Sequence, residues 1–364
     1  MLERTILVCG GAGFIGTNFV RLLLGREVGR VVVLDKLTYA ASEGNVPQDP
    51  RLVFYRGDIA DGALVRRLLE QYRPRWVVNL AAETHVDRSI DCPDPFVHTN
   101  VLGTFRLLEC VRAFWAELPR QAREEFRFLQ VSTDEVYGTI PEGESASEMT
   151  PYRPRSPYAA SKAAGDHFAL AYHHTYGLPV LLTNSSNNFG PYQYPEKLIP
   201  LMVLNALDAR ELPIYGDGGN VRDWLYVTDH CEALLGVLER GVPGTQYNIG
   251  AGNQRTNLEV VEAICRVLEQ VVPARENARM LARGLEAYAE LKRFVEDRPG
   301  HDRRYALDAS RVTTELGWAP RHEFMVALEA TVQWYVEHRD WCEAVLAGRY
   351  DRQRLGLGLR ISRE

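Results

Sequence analysis

Six short apolar runs punctuate the first half of the chain: Thr5 to Cys9, Val31 to Asp35, Leu52 to Tyr55, Trp76 to Leu80, Phe126 to Ser132 and Pro179 to Thr183. Their β-branched content, and the longer helical patterns between them, predict strands alternating with helices. Strands that are apolar at successive positions are buried on both faces, which predicts a parallel sheet covered by helices. The first 183 residues therefore read as a Rossmann-like, doubly wound α/β domain, with ligands expected at the carboxyl ends of its strands. After residue 184 the rhythm breaks into loops rich in Asn, Pro, Gly and Tyr, recovers at Gln246 to Gly250, and gives way to helical patterns. This predicts a smaller C-terminal α/β substrate lobe, 184–221 and 252–364, interleaved with the first domain, to which 222–251 returns. Residues 273–296 are charged and helix-prone, the pattern of a solvated surface helix.

The loop after the first strand reads Gly10-Gly-Ala-Gly13-Phe14-Ile15-Gly16. Glycines between a strand and a helix permit a tight turn, let backbone N–H groups approach a pyrophosphate, and set that anion at a helix N-terminus. Asp35 closes the second strand, where a carboxylate accepts hydrogen bonds from a ribose diol and repels a 2′-phosphate. NAD is expected over NADP, a preference that the neighbouring Lys36 weakens a little. Leu37, Thr38, Asp58, Ile59, Leu80, Ala81, Ala82 and Thr99 stand at or after later strand ends and are expected to line the same cofactor. The bland alternative, a glycine turn without a ligand, does not account for strand, loop, helix and acid in register.

Composition narrows the classes. With 46% hydrophobic and 25% charged residues the chain has the material for a packed core, which excludes a disordered protein. A net charge of −6 with no basic tract disfavours nucleic acid. No apolar run is long enough for a membrane span, and none near the start suits a secretory leader, so a cytoplasmic protein is expected. The six cysteines are scattered, with no metal-ligand spacing, so no metal is expected. Only four of the 42 basic residues are lysine: Lys36, Lys162, Lys197 and Lys292. Each is a candidate for a role that needs a compact, titratable amine.

Ser156 and Pro157 suit the N-cap and first position of a helix. That helix would carry Tyr158 and Lys162 one turn apart on one face, where an ammonium lowers the pKa of a phenol toward that of a general base. The fifth strand ends in Ser132-Thr133-Asp134-Glu135, which sets two adjacent carboxyl groups where the active site of such a sheet lies. Two carboxyls whose environments separate their pKa values can serve the two halves of an elimination, Glu135 as base and Asp134 as acid. A charged loop, and an exposed helix pair, are the plain alternatives.

The glycine loop followed by Tyr-x-x-x-Lys resembles the extended short-chain dehydrogenase/reductase superfamily. Ser132-Thr-Asp-Glu-Val-Tyr-Gly138 narrows the resemblance to nucleotide-sugar 4,6-dehydratases, within which dTDP-glucose is the implied substrate. It extends through Ala82 to Ser89, Asn187 to Tyr192, Pro195 to Pro200, Leu212 to Gly216, Arg222 to Trp224 and Asp297 to Arg303. It implies oxidation at C4, elimination of water across C5 and C6, and hydride return to C6, with tightly bound NAD recycled. Tyr158, helped by Lys162 and Thr133, would take the 4-hydroxyl proton. It further implies that Thr84, Thr133, Asn187, Lys197, Leu198, Pro213, Ile214, Tyr215, Arg222, Asn257, Asp297, Arg298, Pro299, Gly300 and His301 surround the sugar nucleotide, and that Asn188 lies on the nicotinamide side. Family members are typically homodimers built on helices matching 94–116 and 157–177. Thr84 stands where Ser is usual and Cys9 where Thr is usual, and residues 273–296 are longer than usual. UDP-glucose or another nucleotide hexose, and C4 epimerisation, are the rival readings; an epimerase has no use for the Asp-Glu pair.

Overall fold

The computed structural model describes residues 5–26 and 28–356. Seven parallel strands form its central sheet: β1 (Thr5–Cys9), β2 (Arg30–Asp35), β3 (Leu52–Arg56), β4 (Trp76–Asn79), β5 (Arg127–Thr133), β6 (Val180–Ser185) and β10 (Gln246–Ile249). Their order is β10-β6-β5-β4-β1-β2-β3, so the chain reverses direction across the sheet between β1 and β4. A crevice opens at such a reversal, outside the carboxyl ends of the strands.

The continuous apolar runs have the cause expected for them. Along β1, Ile6 and Val8 face a core shared with helix α1 (Phe14–Leu24), while Leu7 and Cys9 face the opposite core with α2 (Gly62–Tyr72), α3 (Thr104–Ala116) and α4 (Pro157–Tyr176). Helix α5 (Val227–Arg240) covers the first face beside α1, through Cys231, Leu234, Val237 and Leu238. Both faces are covered, so the inner strands β1, β2 and β4 are apolar at successive positions.

The remaining strands are short and sit beyond the sheet. β7 (Asn187–Phe189) pairs parallel with β9 (Val221–Tyr226), which pairs antiparallel with β11 (Gln254–Thr256). β8 (Leu212–Tyr215) pairs parallel with β12 (Lys292–Val295). These ladders pack on a separate core of Phe189, Met202, Ile264, Tyr288, Phe324 and Tyr335.

The expectation of a surface helix over 273–296 is corrected. The segment is a short turn at Ala274–Glu276, a helical turn at Ala278–Ala282, a second short turn at Tyr288–Leu291, and then β12. Gly284 interrupts it with φ +66. The charges conceal four anchors, Ala274, Met280, Tyr288 and Leu291, each at most 2% exposed in the core of the smaller lobe. Tyr288 also donates its hydroxyl to the Val272 carbonyl at 2.9 Å. The segment is a packed wall whose last strand delivers Asp297–His301. Replacing Met280 by Ala is expected to cost about 2–5 kcal/mol, the range for a fully buried Met, and denaturant unfolding measures it.

Among the described residues no helix is long and apolar enough to cross a membrane, and no three His, Cys, Asp or Glu side chains gather as a metal site.

Candidate active site

The glycine loop is built for close approach. Gly10 has φ +80, and a Cβ there would fall 2.6 Å from the Ala81 backbone nitrogen; at Gly16 it would collide with the Gly10 carbonyl oxygen. Only glycine lets β1 turn into α1 with this loop lying flat against the start of the helix. Asp35 is held by two backbone donors, Ala12 N–H at 2.9 Å and Leu37 N–H at 2.8 Å. Each of its oxygens keeps a lone pair for a diol. Lys36, which weakened the preference for a ribose without a 2′-phosphate, is tied to Asp58 at 2.7 Å.

Gly10, Gly13, Phe14, Ile15, Gly16, Asp35, Lys36, Thr38, Asp58, Ile59, Leu80, Ala81, Ala82, Thr99 and Asn188 line one crevice at the carboxyl edge of the sheet. Thr84, Thr133, Asp134, Glu135, Tyr158, Lys162, Asn187 and Lys197 line it too. Leu37 does not; its contribution is the N–H to Asp35. The crevice fits a dinucleotide: a glycine cradle that a Cβ would fill, a diol acceptor, and a buried Asn188 Oδ1 without a partner. A larger groove lies at the amino ends of the strands. It is lined by charges that neutralise one another, Arg26 with Glu232, Arg75 with Glu125 and Arg240 with Glu239.

Ser156 caps α4 as expected, accepting from Ala159 N–H at 3.0 Å, with Pro157 next. Tyr158 and Lys162 are 7% and 6% exposed. Lys162 Nζ donates to the Val131 carbonyl of β5 at 2.8 Å. The expected lowering of the phenol pKa is corrected: burial pushes Tyr158 well above its ordinary value, Glu135, Asp134 and Asp166 add to the rise, and a hydrogen bond with Thr133 opposes it. In the protein alone, loss of hydration outweighs the neighbouring ammonium.

The two carboxyls follow β5 on a short turn, Asp134–Tyr137, whose N-cap is Thr133. Asp134 is 2% exposed; one oxygen faces Thr133 Oγ1 at 3.3 Å and the other is buried without a partner. Burial first, and Glu135 second, push its pKa well above the carboxylate range. Burial also raises Glu135, but Arg298, Arg222 and Lys197 pull it back. Arg222 pulls on both carboxyls, and Asp134 is the one raised further.

The other predicted sugar-nucleotide residues form an adjoining wall outside that crevice. β8 carries Pro213, Ile214 and Tyr215; Ile214 is 2% exposed in the lobe core, with Leu198 packed against that core. Tyr215 donates to Asp87 Oδ2 at 3.0 Å, and Arg298 Nη1 reaches the other oxygen of Asp87 at 2.5 Å. His301 holds Asp297 at 2.6 Å and sits edge-on to Tyr215, while Pro299 and Gly300 are exposed. Arg222 donates to the Asp302 carbonyl at 2.9 Å and lies 4.2 Å over the Tyr305 ring. Asn257 opens the helix after β11, its N–H on the Asn220 carbonyl at 3.0 Å.

Sequence reasoning missed several members. Glu196, its side chain wholly buried, receives Tyr39 Oη at 2.9 Å and Arg88 Nε at 2.8 Å, tying the cofactor side to the loop of Lys197. Tyr305 Oη stands 3.5 Å from Glu135 Oε2. A π-helical stretch, Val97–Gly103, turns Asn100 so that it brackets the Glu83 backbone at 3.0 Å on both sides and reaches Ser161 at 2.8 Å. Asn100 follows the predicted Thr99 directly, but the bracket has no local signal.

A family described as GDP-mannose 4,6 dehydratase matches residues 7–331. The dTDP-glucose 4,6-dehydratase of Xanthomonas campestris pv. campestris is 53% identical over 97% of this chain and 99% of its own length. Among solved structures, the dTDP-glucose 4,6-dehydratase of Streptomyces venezuelae, with NAD bound, is 45% identical over 94% of this chain and 99% of its own, with a TM-score of 0.83. The UDP-glucose 4-epimerase of Thermus thermophilus, also with NAD, is 32% identical over 92% and 99%, with a TM-score of 0.79.

Proposed function

We infer, for a chain that belongs to the nucleotide-sugar 4,6-dehydratase family, that it is a hydro-lyase converting dTDP-glucose to dTDP-4-keto-6-deoxyglucose and water. The observation that carries the reading is a pair of adjacent carboxyls, Asp134 buried and Glu135 partly exposed, in the same crevice as a buried Tyr and Lys. A C4 epimerase needs only the last two.

The residues that would hold NAD are the glycine loop, Asp35 and the crevice walls named above. When bound, NAD supplies the acceptor, and later the donor, of the electron pair that leaves C4 and returns to C6. Burial raises the Tyr158 phenol in the protein alone, and Lys162, one turn away on α4, is the cation that favours its ionised form. Tyr158 then takes the proton of the sugar 4-hydroxyl, with Thr133 bonded to the phenol. The ketone at C4 acidifies C5–H, Glu135 removes that proton, Asp134 gives its own to the departing 6-hydroxyl, and Glu135 returns its proton to C5 once C6 is reduced. Lys197, whose Nζ donates to the Thr84 carbonyl at 2.8 Å, and the Arg222 and Arg298 guanidiniums offset the substrate diphosphate in a net-negative chain.

Residues 1–183 with 222–251 are taken as the cofactor half, and β10 lying in the main sheet supports that division. A cytoplasmic homodimer completes the reading. Val97, Leu102, Phe168 and Tyr176 expose 39–56% of their surface on the two helical segments a partner would cover. Light scattering should give twice the chain mass of 41.2 kDa.

The test is to incubate the purified protein, without added cofactor, with dTDP-glucose and separately with UDP-glucose, and to follow loss of one water by mass. Loss from the dTDP sugar supports substrate, chemistry and retained NAD together. Faster loss from the UDP sugar overturns the nucleotide assignment, and no loss from either, even with NAD added, overturns the dehydratase reading for these sugars. The pH profile is expected to be a bell. Activity rises as Glu135 ionises above its raised pKa, and falls as Asp134 loses the proton it must donate. Arg298→Met removes the strongest influence lowering Glu135, so the acid limb should move to higher pH, read from kcat at saturating substrate.

A further inference from the structure

We propose that Asp166 is a positioning residue for proton transfer: its carboxylate, one helical turn beyond Lys162, is the counter-charge that keeps the ammonium charged beside Tyr158. The role rests on the reading of Tyr158 as proton acceptor given above.

Asp166 follows Lys162 by one turn of α4, and both are buried, Asp166 at 0% exposure. A carboxylate in that position with no purpose is costly, because loss of hydration disfavours the charged form and nothing near it needs a negative group for packing. It is nevertheless held with care. Ser132 Oγ donates to Asp166 Oδ2 at 2.5 Å and Tyr152 Oη at 3.3 Å, while Oδ1 is buried and has no hydrogen-bond partner. Ser132 is the residue immediately before Thr133, so the strand that presents the acid/base pair also fixes this carboxylate. Tyr152 is fixed in turn by Asn184 of β6 at 3.2 Å.

Lys162 needs such a partner. Its one hydrogen bond, to the Val131 carbonyl, is to a neutral group, and burial pulls its pKa down. Asp166 is the charged neighbour that opposes this fall. The reciprocal holds: burial pushes Asp166 up to about 6, and Lys162 is the foremost influence lowering it. The other titratable groups that face Asp166 are Tyr152 and His167, and the charge of Asp166 is also felt at Tyr137 and Tyr158. A carboxylate here raises Tyr158 slightly by itself, but by keeping Lys162 cationic it preserves the positive charge that a phenolate needs.

Because the chain has only four lysines, Lys162 can be watched directly. The holoenzyme is labelled with [¹³Cε]lysine, Lys162→Arg assigns the resonance, and its shift is followed against pH in the wild type and in Asp166→Asn. The ammonium should lose its proton at least about one pH unit earlier in Asp166→Asn, the size of effect an opposite charge exerts at short range. Equal Lys162 midpoints in the two proteins would overturn the proposal. If Asp166→Asn does not fold, the wild type still decides. Its Lys162 resonance should show a step near pH 6 as Asp166 titrates, and its absence is equally fatal. Neither resonance measurement involves turnover, so an inactive enzyme and a missing charge pair give different results.

Discussion

Glu135→Gln is expected to slow dehydration of dTDP-glucose by about 10²–10⁴-fold, the range for removing a general base, while the NAD released on unfolding the purified protein stays at the parent level. Gln keeps the shape of Glu, and Tyr305 Oη, 3.5 Å away in the parent, can still bond to its carbonyl oxygen. What is lost is the ability to take a proton from C5. Asp134→Asn should be slow for a different reason, since Asn can donate a hydrogen bond but cannot surrender the proton. The two are told apart by incubating the 4-keto-6-deoxy product in deuterated water. Asp134→Asn should still exchange the hydrogen at C5 and Glu135→Gln should not. The reverse pattern would exchange the two assignments and would mean that the three cations near Glu135 do not govern which carboxyl ionises.

Tyr158→Phe should lower kcat by a similar factor with little change in KM. The substitution is clean because the ring, not the hydroxyl, does the packing: Phe96 lies edge-on at 6.3 Å, and the backbone N–H of residue 158 keeps its bond to Ser89 Oγ. Thermal unfolding should therefore be unchanged while turnover collapses. If kcat survived, the proton would be leaving through another group, and Thr133, bonded to both the phenol and Asp134, would be the first to examine.

How far the chain could be read depended on whether a feature is local. The Gly10 to Gly16 loop, Asp35 at the end of β2, the Ser156 cap and the Asp134-Glu135 turn each involve residues a few positions apart, and all lie where the pattern indicates. The 273–296 segment misled because its apolar anchors are too few and too irregularly spaced to show helical or strand periodicity amid so much charge. Glu196 was invisible for another reason: Tyr39, Arg88 and Glu196 come from three distant stretches and meet only when the smaller lobe closes against the sheet.

The sequence by itself determined the alternating architecture and the cofactor class, and it singled out the candidate acid and base side chains. These follow from periodicity, from backbone conformations open only to glycine, and from the chemistry of adjacent side chains. Tertiary structure alone decided their protonation. Lys36 is neutralised by Asp58 from the loop after β3, the Tyr158 phenol is raised by burial despite Lys162, and Glu135 is pulled back by Arg298, Arg222 and Lys197 from three separate stretches of the chain. Burial and charge at a distance set a pKa, and neither exists until the chain has folded.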